Sequence, residues 1–154
     1  MKKLISLFSL ILTLGLVGCS SKSEVKDIPV SDIKAAINNE TLLTIQPVSD
    51  VDAKEFYAFE NVKNDIKEGF VLQAMINVRL QDVFVVKTDN VEKVKQAIEE
   101  YKTNSLRMFA DGYGSDDNAT AVSDSILESV GDYVYFIATT NAKDIEAKIL
   151  EMIK

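Results

Sequence analysis

Two stretches of this chain set most of what it can fold into. Asp82-Val83-Phe84-Val85-Val86 and Asp132-Tyr133-Val134-Tyr135-Phe136 are alike: an acid, then four β-branched or aromatic residues, the composition of a strand. Each follows a second strand pattern and precedes a helical one. Ahead of the first, Gly69 to Asn77 is an apolar run through Phe70, Val71, Leu72, Ala74, Met75 and Ile76. Behind it, Asp89-Asn90 is a capping signal, and Val91, Val94, Ala97, Ile98 and Tyr101 recur at the spacing of a helix face packed on a sheet. Ahead of the second, Ser125 to Val130 reads as a strand joined to its partner across Gly131-Asp132, a two-residue hairpin turn. Behind it, Asn141 opens a helix with Ala142, Ile145, Ile149 and Met152 on one side. With one gap, Val94 and Ile98 fall opposite Ile145 and Ile149. The pattern predicts an α+β fold: a two-layer sandwich whose antiparallel sheet is built from two strand-strand-helix repeats, with the helices on one face.

Short N-terminal helices are expected before these units. Ser31 is placed to cap a helix through Ile33, Ala36 and Ile37 that ends at Asn38-Asn39. Thr41 to Ile45 is expected to be extended and is closed by Pro47. Ser49-Asp50 would cap another short helix through Val51, Lys54, Glu55 and Phe56. Tyr57 and Phe59 are expected in the core, with a ligand cradle as the alternative use. Between the two units, Leu106 to Asn118 reads as a helix exit and a loop, with Asp116 or Asp117 capping a helix over Ala119 to Ser123.

The first residues carry a different message. Met1-Lys2-Lys3 is a short basic segment, and Leu4 to Val17 is apolar but for Ser6, Ser9, Thr13 and Gly15. At ~1.5 Å per residue such a helix covers roughly 21 Å, short of a ~30 Å hydrocarbon core, so a secretory signal is the stronger reading. Leu16-Val17-Gly18-Cys19 resembles the bacterial lipobox. That resemblance implies cleavage between Gly18 and Cys19 and a lipid on the Cys19 thiol. Two or more acyl chains hold a protein durably to a bilayer without spanning it. The expected organisation is therefore a lipoprotein signal peptide at 1–18, the lipidated cysteine and a flexible tether at 19–28, and a single α+β domain at 29–154.

Charge and composition narrow the chemistry. The chain has 17 basic and 24 acidic residues, a net charge of −7; loss of Lys2 and Lys3 with the leader leaves 15 against 24, or −9. Such a surface repels phosphate backbones, so no nucleic-acid partner is expected. There is no histidine and a single cysteine, which removes Ser-His and Cys-His nucleophiles and zinc sites of the usual kind. No cofactor and no metal are expected. Asp111, Asp116 and Asp117 offer oxygen ligands for calcium, but their spacing lacks the alternating acids and closing Glu of a calcium loop. Hydrolysis by paired carboxylates needs no histidine; its candidates are Asp82, Asp111, Asp116, Asp117, Glu128 and Asp132, and no spacing singles out a pair.

The strand Asp82 to Lys87, the long helix with Tyr101 and Phe109, the Gly112-Tyr113 loop and the Gly131-Asp132-Tyr133-Val134 turn together resemble one family. It is the uncharacterised bacterial lipoprotein family known as domain of unknown function 4358, and the likeness runs from about Ser31 to Ile153. The resemblance implies an extracytoplasmic address and brings no catalytic residue with it. The expected role is a membrane-anchored, non-enzymatic binding or interaction module on the outer face of the cell membrane. Its partner would be an envelope protein or a cell-wall ligand. The alternatives are a carboxylate-based cell-wall or glycan hydrolase, or a structural subunit of an envelope complex.

Overall fold

The computed structural model describes residues 25–154. The expected signal peptide, and the cleavage and lipidation at Gly18 and Cys19, lie outside the described residues. The chain is α+β. It runs α1 (Val30–Ile37), β1 (Val48–Asp52), three single 3-10 turns within 53–65, β2 (Ile66–Ala74), β3 (Asp82–Thr88) and α2 (Val91–Ser105). It continues through α3 (Arg107–Ala110), α4 (Asp116–Ser123), β4 (Ile126–Val130), β5 (Tyr133–Ala138) and α5 (Ala142–Ile153). The five strands form one sheet in the order β1-β2-β3-β5-β4, every pair antiparallel.

The predicted central strands form where the β-branched and aromatic runs stand, and β4 and β5 are joined across Gly131-Asp132 with Gly131 at φ +60°. Only the first turn residue has positive φ, the arrangement of a II′ hairpin. Asn90 caps α2 by accepting a hydrogen bond from the Lys93 amide at 3.4 Å. The two hairpins meet at the centre of the sheet, where Val85 of β3 sits opposite Tyr135 of β5, its counterpart in the sequence alignment.

The layering departs from expectation. Several helices do gather on one face: α2, α4 and the 3-10 turns pack over Phe84, Val86, Val134 and Phe136. The opposite face is also covered, by α1 and α5 over Phe70, Leu72, Val83, Val85, Tyr135 and Ile137. The sandwich therefore has three layers, not two. The reason lies in β3 and β5, which are buried at nearly every position; a strand apolar on both sides needs cover on both sides. The same fact breaks the expected repeat. Val94 and Ile98 of α2 belong to one layer, and Ile145 and Ile149 of α5 to the other.

Three local expectations also change. The helix foreseen from Ser49-Asp50 is instead edge strand β1, laddered from Val48 opposite Ala74 to Asp52 opposite Phe70. Its Asp52 then caps the first 3-10 turn, accepting from the Lys54 amide at 2.8 Å. Thr41 and Leu42 form a turn, because the Asn39 side chain accepts from their amides at 3.1 Å each, and Leu43 to Ile45 join no strand. Pro29 and Ser115, not Ser31 and Asp116 or Asp117, occupy the cap positions of α1 and α4; Asp116 and Asp117 fall in the first turn, where negative charge suits the helix dipole.

The segment before α1 is fastened to the sheet. The Lys26 amide donates to Ile153 O at 2.9 Å. The Tyr133 hydroxyl accepts from the Ile28 amide at 2.8 Å and donates to Ile28 O at 2.6 Å. Lys87, in β3, pairs with Asp27. All of these contacts sit at the Thr88 end of β3, which leaves the Asp82 end to the features described next.

Candidate functional site

At the Asp82 end, β2 and β3 are joined by residues 75–81, and the end of α2 with α3 stands across from that loop. Between them opens a cleft of about 500 Å³. Its floor is polar and made by three elements. Asp82 is nearly fully buried at 4 % exposure. The Tyr101 hydroxyl of α2 donates to its Oδ2 at 2.6 Å. Gln73 Nε2 of β2 donates to its Oδ1 and to the Tyr101 oxygen, at 3.0 Å each. Burial pushes the Asp82 carboxyl up to about 6, with the Tyr101 and Gln73 hydrogen bonds pulling the other way. Burial, then the adjacent carboxylate, pushes the Tyr101 phenol upward.

The rim is apolar and exposed. Among the described residues the large hydrophobic side chains that stand in solvent are Tyr57, Met75, Ile76, Val78, Met108 and Tyr113. Four of them border the cleft. The other two flank it, since both Val78 O and Tyr113 O accept from the Asn118 side-chain amide, at 2.9 and 2.7 Å. Asn118 is itself buried, and its Oδ1 accepts from the Leu80 amide at 2.9 Å. One side chain thus ties the 75–81 loop to the turn before α4. Gly114, at φ +88°, allows that closeness: a Cβ there would lie 2.2 Å from Val78 O.

Of the sequence candidates, the structure places Asp82 at this site and scatters the rest. Asp132 lies beyond the far end of β3, whose Thr88 amide bonds to Asp132 O. Seven residues of strand put it roughly 20 Å away, against the ~5–9.5 Å that paired glycosidase carboxylates keep. Glu128 is on edge strand β4, two strands over, beside a charged hollow shared with Glu99, Glu146, Lys102 and Lys143. Asp111, Asp116 and Asp117 are exposed. Among the described residues no three acidic side chains gather in a way that could hold a metal ion.

Sequence reasoning missed the partners of Asp82. In the sequence Tyr101 falls on the apolar face of a helix, Gln73 within an apolar strand, and Asn118 at the end of a loop. Tyr57, expected in the core, is 65 % exposed at the cleft rim, its hydroxyl 2.9 Å from Ser105 Oγ; Phe59 is buried as expected. A phenol on the buried face of a helix is a usable signal, since a buried hydroxyl demands a partner.

Among the described residues no helix is long and apolar enough to cross a membrane. No curated protein and no solved structure matches this chain. Residues 38–139, most of the described chain, match the family model of Domain of unknown function (DUF4358), and the chain belongs to that family.

Proposed function

We propose that this chain is a lipoprotein held to the outer face of the cell membrane through Cys19, and that it binds a partner without catalysing a reaction. The cleft over Asp82 is its contact surface. One observation carries the reading: of the six exposed large hydrophobic side chains of the described residues, four, Tyr57, Met75, Ile76 and Met108, border a single cleft. Apolar surface concentrated in this way, not scattered singly, is what interaction sites display. The polar floor fits the same use. Its groups satisfy one another, and no second carboxylate among the sequence candidates reaches Asp82. The lipobox at Leu16 to Cys19 supports the address.

The test is made in cells that produce the full-length protein. A photoreactive residue at position 108, on the rim, should cross-link to one reproducible species. The same residue at position 92, on exposed α2 surface, should not. Labelled palmitate should enter the wild type and not Cys19→Ala. Purified protein that turns over a wall substrate, with no species captured at position 108, would refute the binding reading.

A further inference from the structure

The basic residues are not distributed evenly by kind. Of the 17, just two are arginines, Arg79 and Arg107. One lines the cleft and the other adjoins it. Arg79 borders it from the 75–81 loop, and Arg107 opens α3 between Leu106 and Met108, which border it too. Both are exposed. Among the described residues neither arginine has an ion-pair partner; of the lysines, Lys34, Lys63, Lys67, Lys87, Lys93 and Lys148 each hold an acid, and those without one do not border this cleft. Asp82, the acid closest to Arg79 in sequence, is held by Gln73 and Tyr101, and Asp111, the acid closest to Arg107, makes no pair with it.

In a chain of net charge −7, two unmatched guanidiniums beside Met75, Ile76, Met108 and Tyr113 have a definite chemical character. Arginine, methionine and tyrosine are the side chains enriched where proteins bind one another, and lysine is depleted there. A guanidinium is weakly hydrated and its planar fork matches a carboxylate. We infer that the cleft receives a polypeptide segment bearing both apolar side chains and carboxylates. The apolar groups settle over Met75, Ile76 and Met108, and the carboxylates meet Arg79 and Arg107. This inference rests on the binding reading above and names the class of partner. A glycan is the poorer fit, because the rim is largely thioether and branched aliphatic, and the floor's hydrogen-bonding groups are engaged with each other. An anionic membrane surface is poorer still, because the acidic body is repelled by it.

The experiment uses the purified full-length protein in detergent micelles, with empty micelles as blank. The probes are two immobilised pools of short synthetic peptides. One has random order of Glu, Leu, Phe and Ser; the other replaces Glu by Lys. The Glu pool should retain the protein about tenfold better than the Lys pool, the sum expected from two partly exposed charge pairs. The Arg79→Gln/Arg107→Gln double variant should lose that preference while its melting temperature stays unchanged. Equal retention on both pools, or an undiminished preference in the double variant, overturns the inference. Concentration-dependent dimers in sedimentation, abolished by the same double variant, would assign the cleft to a second copy of this chain and overturn it as well. Capture of a wall glycan at position 108 with no peptide retained would sink the polypeptide inference and leave the binding reading standing. Neither capture nor retention would end both.

Discussion

Asp82 occupies a position that favours its neutral form. Burial raises its carboxyl from an ordinary 3.8 to about 6, so the folded chain holds that proton more tightly than the unfolded chain does. The stability this contributes is complete below the unfolded value and is lost as pH rises through about 6. At 1.36 kcal/mol per unit the difference approaches about 3 kcal/mol. Asp82→Asn does not titrate and keeps an oxygen for the Gln73 amide. Relative to the wild type it should gain roughly 2–3 kcal/mol between pH 4 and pH 7, read from urea unfolding at several pH values. Parallel pH profiles for the two proteins would show that the carboxyl is not perturbed. The lip of the cleft makes a second residue-scale prediction. Gly112 and Gly114 share φ +88°, but a Cβ on Gly112 meets nothing within 4 Å, whereas one on Gly114 meets Val78 O and the Asn118 side chain. Gly112→Ala should cost about 1 kcal/mol in backbone strain alone. Gly114→Ala should cost at least about twice that, because the Val78 carbonyl and the Asn118 knot must move. Thermal melts of the two variants decide it, and equal losses would mean the lip yields freely.

Among the elements, the segment ahead of α1 hangs on one phenol. Tyr133→Phe removes the hydroxyl that serves both the Ile28 amide and the Ile28 carbonyl. The expected loss is about 1–2 kcal/mol, with the Ile28 amide exchanging hydrogen at least about tenfold faster and the amides of β3 unchanged. Unaltered exchange at Ile28 would show that Lys26 and Lys87 hold the segment without Tyr133. The strands that could be seen in the sequence are those whose own residues prefer the extended state. Asp82 to Val86, Tyr133 to Phe136 and the Gly131 turn are of that kind. β1 is not: Val48-Ser49-Asp50-Val51-Asp52 carries capping residues, and it becomes a strand only because β2 offers a ladder. The number of layers is legible in β3. Val83-Phe84-Val85-Val86 has no polar residue in alternation, which already demands cover on both faces. The site was half legible. Asp82 was visible as an acid heading an apolar run, but its partners Gln73 and Tyr101 lie 9 and 19 residues away, a closeness that only the sheet and helix packing creates.

At the scale of the whole molecule, the ends of β3 divide the labour. Val25 to Ile28 is fastened near Lys87 and Tyr133, and the cleft opens beyond Asp82. The seven residues of β3 separate the two by roughly 20 Å. If Cys19 carries the lipid as proposed, the fastened end is the one nearest the bilayer, and the acidic body is pushed away from anionic headgroups. The cleft then faces outward, with its apolar rim turned to whatever lies above the membrane. Full-length lipidated protein in anionic vesicles tests this, with one fluorescent label placed by Met108→Cys or by Lys26→Cys and a quencher carried on the lipid headgroups. The label at position 26 should be strongly quenched and the label at position 108 much less so, and adding salt should narrow the gap as the repulsion is screened. Equal quenching would mean that the body lies flat on the bilayer. Stronger quenching at 108 would make the apolar rim a membrane contact and remove the outward-facing cleft altogether. The labelling also checks its own premise. A thioether at Cys19 leaves the introduced cysteine as the sole reactive thiol, because the chain has no other, so a label entering the unsubstituted protein would show that position 19 is free.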